Sequence, residues 1–278
     1  MEIEGNGNHS LYCVFSFGGG VQSSAIYLML INEPRKLYNA MNEVPGKIFF
    51  TDTGAELQST YKCLEYMQGL RSPLFHIELV SNGNILKSNF KDTSNSKAPY
   101  PFFIKNGQTG KVGMAQRMCT HEYKIKAVQK ATKDAFKLNR IRLQKGIVSM
   151  WLGISMDEIH RMKDNRDHWR TNRYPLIEMG MTRQDCIEYC AMYNWLPTKS
   201  RCYFCPYQSN ASWNELKQNS PKEFELACKE DELIRNRFLT DGSKSYLHKS
   251  CIPLKEINFK RSEIEDGFNN ECEGVCNT

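Results

Sequence analysis

The chain has 278 residues and a formal net charge of +6, from 37 Lys+Arg against 31 Asp+Glu. With 40% hydrophobic, 11% aromatic and 24% charged residues it is not a disordered chain. No apolar run approaches the ~18 residues of a membrane-spanning helix, and the polar start MEIEGNGNHS is unlike a secretory signal. A cytoplasmic protein with no membrane partner is therefore expected. The mild basic excess suits a nucleotide or nucleic-acid partner without proving either. Eleven cysteines are the strongest compositional signal. In a cytosolic chain of this length, an odd and clustered set points to metal or redox chemistry rather than to disulfide staples.

Residues 1–10 read as a flexible N-terminus. A strand is predicted over 11–15, then a glycine-rich turn, then a helix over 23–31. A second strand, 47–50, ends in Thr51-Asp52-Thr53-Gly54 and is followed by a helix over 59–70. A third apolar run covers 74–80. This alternation of strand and helix predicts a parallel sheet with crossover helices. Residues 83–116 are polar and read as a long loop or insertion. A helix is predicted over 122–137 and a fourth strand over 147–154, followed by a basic stretch over 161–173. Thr182 has the character of a helix N-cap, with Asp185 in the first turn. Residues 195–278 read as irregular, with a C-x-x-C, one helix near 221–238 and a cysteine-containing tail. There are no internal repeats.

Ser16-Phe17-Gly18-Gly19-Gly20-Val21-Gln22-Ser23-Ser24 joins the first strand to the first helix. Consecutive glycines allow close approach of a ligand and positive φ. The free N–H groups of the following helix favour an anion at the same point. Ser16, Gln22, Ser23 and Ser24 can add side-chain hydrogen bonds. Neither the Walker pattern nor G-x-G-x-x-G is present. Asp52, with Thr53 and Gly54, ends strand two, where an acid can bond a ribose hydroxyl or the adenine amine.

GGGVQS resembles the S-G-G-x-D-S loop of the PP-loop ATP pyrophosphatases, with Gly18 in place of Ser and Gln22 in place of Asp. The preceding Ser16-Phe17-Gly18 resembles the S-F-G of phosphoadenosine phosphosulfate (PAPS) reductases, a branch of that superfamily. Asp52-Thr53-Gly54 followed by Thr60-Tyr61 is similar to the D-T-G and Thr-Tyr of the same reductases. Cys119 lies in a segment resembling the C-C-x-x-R-K-V of assimilatory adenylyl-sulfate reductases, with one Cys for their two. Lys124 then takes the place of a substrate-binding Lys. Ser155-x-Asp157-Glu158-x-x-Arg161 follows strand four. The order of these segments resembles PAPS reductase-like proteins of phages and prophages over about 11–207. The resemblance implies a Rossmann-like (HUP-type) α/β fold, a parallel sheet with helices on both faces. It divides the chain into a nucleotide-binding domain, 11–207, and an irregular, cysteine-containing C-terminal extension, 208–278.

Cys202 and Cys205 form a tight C-x-x-C, which chelates one metal or cluster or forms a redox pair. Cys119 is the first choice for a third ligand, because the corresponding reductase Cys binds a [4Fe–4S] cluster. The fourth is open, with Cys186 ahead of Cys272 and Cys276; three thiolates and one open iron is a further arrangement. Zinc is the competing metal. The tail Glu271-Cys272-Glu273-Gly274 resembles the E-C-G-x-H of PAPS reductases, whose Cys attacks the sulfur of the nucleotide sulfate. Cys272 and Cys276, with Lys124, are thus the candidate catalytic residues. Arg161 and the basic residues after it are candidates for a phosphate or sulfate clamp. Alternatively they form a nucleic-acid surface, with Trp169 and Tyr174 as stacking faces.

The resemblance implies sulfur chemistry beside a Cys-held iron–sulfur cluster, with ATP, PAPS or adenylyl sulfate at the glycine loop. In a reductase, a thiolate attacks a nucleotide sulfate. In a sulfurtransferase, ATP activates a tRNA or DNA acceptor. A sulfur- or electron-donor protein would supply either reaction, and a homodimer is compatible with both. Two alternatives stand beside them. One is a catalytically divergent nucleotide-binding subunit of a DNA-modification or defence system, favoured by Gln22. The other is a zinc-stabilised, ATP-dependent PP-loop ligase.

Overall fold

The structure is a computed structural model and describes residues 10–70, 72–87, 100–139, 142–195, 199–235 and 242–259. The first half runs β1 (Tyr12–Phe17), α1 (Val21–Asn32), α2 (Pro34–Met41), β2 (Lys47–Thr51), α3 (Gln58–Gly69), β3 (Ile77–Val80), β4 (Phe103–Lys105) and β5 (Val112–Met114). A π-helical turn, Thr120–Ile125, leads into α4 (Lys126–Ala135). Then come β6 (Val148–Trp151), a 3-10 turn (Met156–Arg161), β7 (Arg170–Arg173), α5 (Pro175–Glu178) and α6 (Arg183–Ala191). The chain continues through α7 (Asn210–Asn219), α8 (Pro221–Ile234) and β8 (Lys244–Tyr246).

Five strands form one all-parallel sheet in the order β3-β2-β1-β6-β7. Helices cover both faces, so the fold is the expected Rossmann-like α/β type. The alternation of side chains along β1 explains the two layers. Cys13, Phe15 and Phe17 belong to the apolar cluster with α1, α3 and α6, while Val14 belongs to the one with Val128 of α4. A strand buried on both faces must be apolar throughout, as residues 12–17 nearly are. Each fully buried Phe contributes roughly 1.5–3 kcal/mol.

Helix α1 is buried from Val21 to Leu30. A helix apolar all round needs partners all round, and α1 packs on β1, α2 and α6. The predicted cap of α6 is present. Thr182 Oγ1 accepts from Asp185 N at 3.2 Å, and Asp185 Oδ2 accepts from Thr182 N at 2.7 Å. Trp151 is fully buried with its indole N–H satisfied by Glu43 at 2.9 Å. Ser149 and Arg173 donate to the same carboxylate, at 2.7 and 3.2 Å.

Three expectations are corrected. The basic stretch 161–173 ends in a strand, β7, whose polar sequence Arg-Thr-Asn-Arg hides it because it lies at the sheet edge. The long loop expected over 83–116 contains β4 and β5, too short to show a period. Residues 195–278 are not irregular throughout. Helices α7 and α8 build a second core with Tyr100, Phe102, Phe204, Trp213 and Leu247, and β8 joins β4 and β5 in an antiparallel sheet. Of the expected flexible 1–10, residues 1–9 lie outside the described residues, as does the tail with Cys272 and Cys276.

Candidate functional site at the sheet switch point

The strand order reverses between β1 and β6, and ligands of open α/β sheets bind outside the carboxyl ends of the strands at such a point. The glycine loop leaves β1 there. Gly19 has φ +73°, and a Cβ on it would lie 2.9 Å from the Thr60 methyl of α3. Across the switch point, a Cβ on Gly153 would lie 3.1 Å from the Ser23 amide. The backbone of the β6 turn thus touches the start of α1. Gly20 is the N-cap of α1, so the first N–H groups of a long buried helix open at the switch point.

The loop side chains divide into two groups. Ser23 Oγ accepts from Gly20 N and donates to Gly20 O, both at 3.1 Å, closing the loop on itself. Ser24 Oγ sits 3.4 Å from Cys63 Sγ in the core. Both hydroxyls are engaged within the chain. Ser16 Oγ and Gln22 Oε1, in contrast, are buried without a hydrogen-bond partner among the described residues, and so is Thr60 Oγ1. Native interiors rarely leave such atoms orphaned. Gln22 Nε2 donates to Glu158 Oε2 at 3.2 Å and meets Ser155 Oγ at 3.5 Å. Arg161 Nη1 donates to Glu158 Oε1 at 2.7 Å. Glu158 therefore joins Gln22 to Arg161 across the switch point.

At the end of β2, Asp52 Oδ1 accepts from Gly54 N at 2.8 Å and from the Tyr61 hydroxyl at 2.7 Å. Burial, and then the Asp52 carboxylate, pushes the Tyr61 hydroxyl up, so it stays a donor. Asp52 Oδ2 makes no hydrogen bond among the described residues. The carboxylate is pinned by one oxygen and can offer the other.

Sequence reasoning missed Glu56. Its Oε1 accepts from Thr53 Oγ1 at 3.1 Å and lies 3.1 Å from Lys124 Nζ and 3.8 Å from Cys202 Sγ. Both side chains of the Glu56–Lys124 pair are buried. Lys124, expected to hold a substrate anion, thus has its ammonium against a carboxylate of its own chain. The π-helical turn carries Lys124, and such turns frequently sit at functional sites. A carboxylate two residues after Asp52-Thr53-Gly54 was the available signal.

The cysteines separate into two environments. Cys119 and Cys202 are half-buried and pack against the second core, and Cys205 closes a turn through its amide to Cys202 O at 3.2 Å. The Tyr207 hydroxyl feels both Cys205 and Cys119. Cys186 is fully buried under α1 in the other core, so the structure does not bring it to these three. Among the described residues, no group of three or more His, Cys, Asp or Glu side chains is placed to hold a metal ion. Burial pushes Cys63 up to about 11 and Cys190 up to about 12. Burial, then Glu43, also raises Cys13. These thiols are expected to resist iodoacetamide at pH 8 in the folded, metal-free protein, whereas Cys119, Cys202 and Cys205 are modified. Peptide mass spectrometry reads this directly. Modification of Cys63 or Cys190 before unfolding would contradict the core assignment.

The basic stretch does not offer aromatic stacking. Trp169 and Tyr174 are buried, and Arg173 is paired with Glu178 and Glu43. No helix among the described residues is long and apolar enough to cross a membrane. Compared with models of known protein families and with curated proteins, the chain finds no match.

Proposed function

We propose that this chain binds an adenine nucleotide at the switch point and carries out sulfur chemistry with it, as a PAPS reductase-like or ATP-dependent sulfurtransferase enzyme. One observation carries the nucleotide half. The glycine loop and the orphaned Ser16 Oγ and Gln22 Oε1 lie at the carboxyl edge where the strand order reverses, and the pinned Asp52 ends the neighbouring strand β2 at the same edge. The α1 N-terminus and the glycine backbone hold phosphate or sulfate oxygens. Asp52 accepts from a ribose hydroxyl or the adenine amine. Glu158 orients Gln22 from behind.

The sulfur half rests on the cysteines and on the resemblance. Cys119, Cys202 and Cys205 would hold an iron–sulfur cluster, or zinc as the competing metal. No closed ligand set is placed among the described residues, so no reaction step is routed through a metal. A cluster, where bound, would supply electrostatic stabilisation or a sulfur relay. The substitution of Gln22 for an acid in the loop favours a second reading, a subunit that binds nucleotide without turning it over.

The test uses full-length protein purified without oxygen. ATP and adenylyl sulfate are titrated by calorimetry, iron, zinc and acid-labile sulfide are measured, and sulfite and pyrophosphate release are assayed. The expected result is saturable nucleotide binding with about four iron and four sulfide per chain, lost in Cys202→Ala/Cys205→Ala. Release of sulfite supports reduction, and release of pyrophosphate supports transfer. Binding without either product supports the second reading. Absence of nucleotide binding overturns both.

A further inference from the structure

A cavity of about 70 Å3 lies between the α4 side of the sheet and the 161–174 segment. That is room for several waters or for one tetrahedral oxyanion. His121, Ile125 and Gln129 line it from successive turns of the α4 limb. Lys163, Arg166 and Arg170 line it from the opposite wall. No glycine-loop residue and no cysteine lines it, and it meets the switch point only through Arg161, which Glu158 joins to Gln22.

The wall is held in place by its own hydrogen bonds. Asn165 Nδ2 donates to Asn172 Oδ1 at 2.8 Å. The Tyr174 hydroxyl accepts from Lys163 N at 3.0 Å and donates to Lys163 O at 2.7 Å. Asp167 accepts from both Gln129 and Arg170, tying the two sides together.

Arg170 is the informative residue. It is 5% exposed, and Asp167 engages only its Nη2. Its Nε and Nη1 are buried with no hydrogen-bond partner among the described residues. The Trp169 ring, 5.1 Å from the guanidinium carbon, supports the cation without accepting those protons in a conventional hydrogen bond. Buried guanidinium donors left unmade are costly. An acceptor with several oxygens removes that cost, and a planar fork matches phosphate or sulfate. Four cationic side chains line the cavity against two carboxylates, one of them Asp167, already engaged.

We infer that this cavity is a second anion site, which takes a tetrahedral phosphate or sulfate group at Arg170, Arg166 and Lys163. It stands whether or not the glycine loop binds a nucleotide.

The test titrates inorganic phosphate and inorganic sulfate into the full chain by calorimetry. One saturable site is expected in Gly19→Ala, where the glycine loop's hold on an anion is weakened. Its affinity should fall at least tenfold in Arg170→Gln, which keeps an amide donor for Asp167, and likewise in Lys163→Ala/Arg166→Ala, which alters exposed side chains. Gly19→Ala should leave it unchanged. If Arg170→Gln does not fold, the exposed double variant decides. Two results overturn the site: no saturable binding, or binding lost in Gly19→Ala and kept in Lys163→Ala/Arg166→Ala. Adenylyl sulfate identifies the source of the anion. Competition with inorganic phosphate at this site, measured in Gly19→Ala, means the group is carried by a substrate. Simultaneous binding means a free anion. Both outcomes keep the site.

Discussion

Gly19→Ala is expected to weaken ATP binding ten- to a hundred-fold, a loss of about 1.4–2.8 kcal/mol, while the protein still folds. Two separate strains produce the effect. At φ +73° an L-residue costs roughly 1–2 kcal/mol relative to glycine. The new Cβ also meets the Thr60 methyl at 2.9 Å, closer than carbon atoms pack. The loop lies at the end of β1, outside the sheet hydrogen bonds, so it relieves both strains by moving away from α3. That movement removes the cradle and leaves the core under α1 in place. A second substitution separates the two contributions. Thr60→Ser deletes the methyl and keeps the hydroxyl, so Gly19→Ala/Thr60→Ser should recover part of the affinity. Full recovery would show that sterics alone matter; no recovery would assign the loss to the backbone. Wild-type affinity in Gly19→Ala itself would mean that the nucleotide does not sit on this loop.

The parts of the molecule that could be read from the sequence are those whose periodicity or chemistry is strong. β1 and β2 are near-continuous apolar runs because the sheet is covered on both faces. The loop between β1 and α1 was recognisable because its glycines are needed where the backbone bends and touches its neighbours. β7 was not recognisable. Its side chains pair with Glu43, Glu178 and Asp167 rather than with apolar neighbours, so a strand looked like a basic surface. The antiparallel sheet β5-β4-β8 escaped for a different reason. Its members are three residues each, and while β4 pairs locally with β5, its pairing with β8 joins segments more than a hundred residues apart. The same limit applies to the site. Asp52 and the loop lie close in sequence to the strands that present them. Cys186 is the leading candidate for a fourth ligand in the sequence, yet helix α6 carries it into the core against α1. Glu56 had only its place after Asp52-Thr53-Gly54 to mark it, because its role depends on Lys124 and Cys202 arriving from distant segments.

Glu56→Ala is expected to destabilise the protein by about 3–5 kcal/mol, the usual cost of removing one member of a buried ion pair. The Glu56 and Lys124 side chains are 1% and 7% exposed, so solvent screens the pair little. Without the carboxylate, the Lys124 ammonium stays buried and loses the acceptor at 3.1 Å, and Thr53 loses its own at the same distance. Urea denaturation at pH 7 reads the change as a lower midpoint with an unaltered slope. Glu56→Gln should cost less, because the amide oxygen still accepts from Thr53 and Lys124. Glu56→Leu/Lys124→Met should recover much of the stability, since replacing both ions by apolar groups removes two desolvation costs together. That double variant also separates structure from chemistry. If it folds and still binds ATP normally, Lys124 serves the fold and the cysteine neighbourhood. If it folds and loses nucleotide affinity, Lys124 leaves Glu56 for the ligand when the ligand arrives. A cost below about 1 kcal/mol for Glu56→Ala would mean that the ammonium reaches solvent, and the ion pair would then be no anchor for this site.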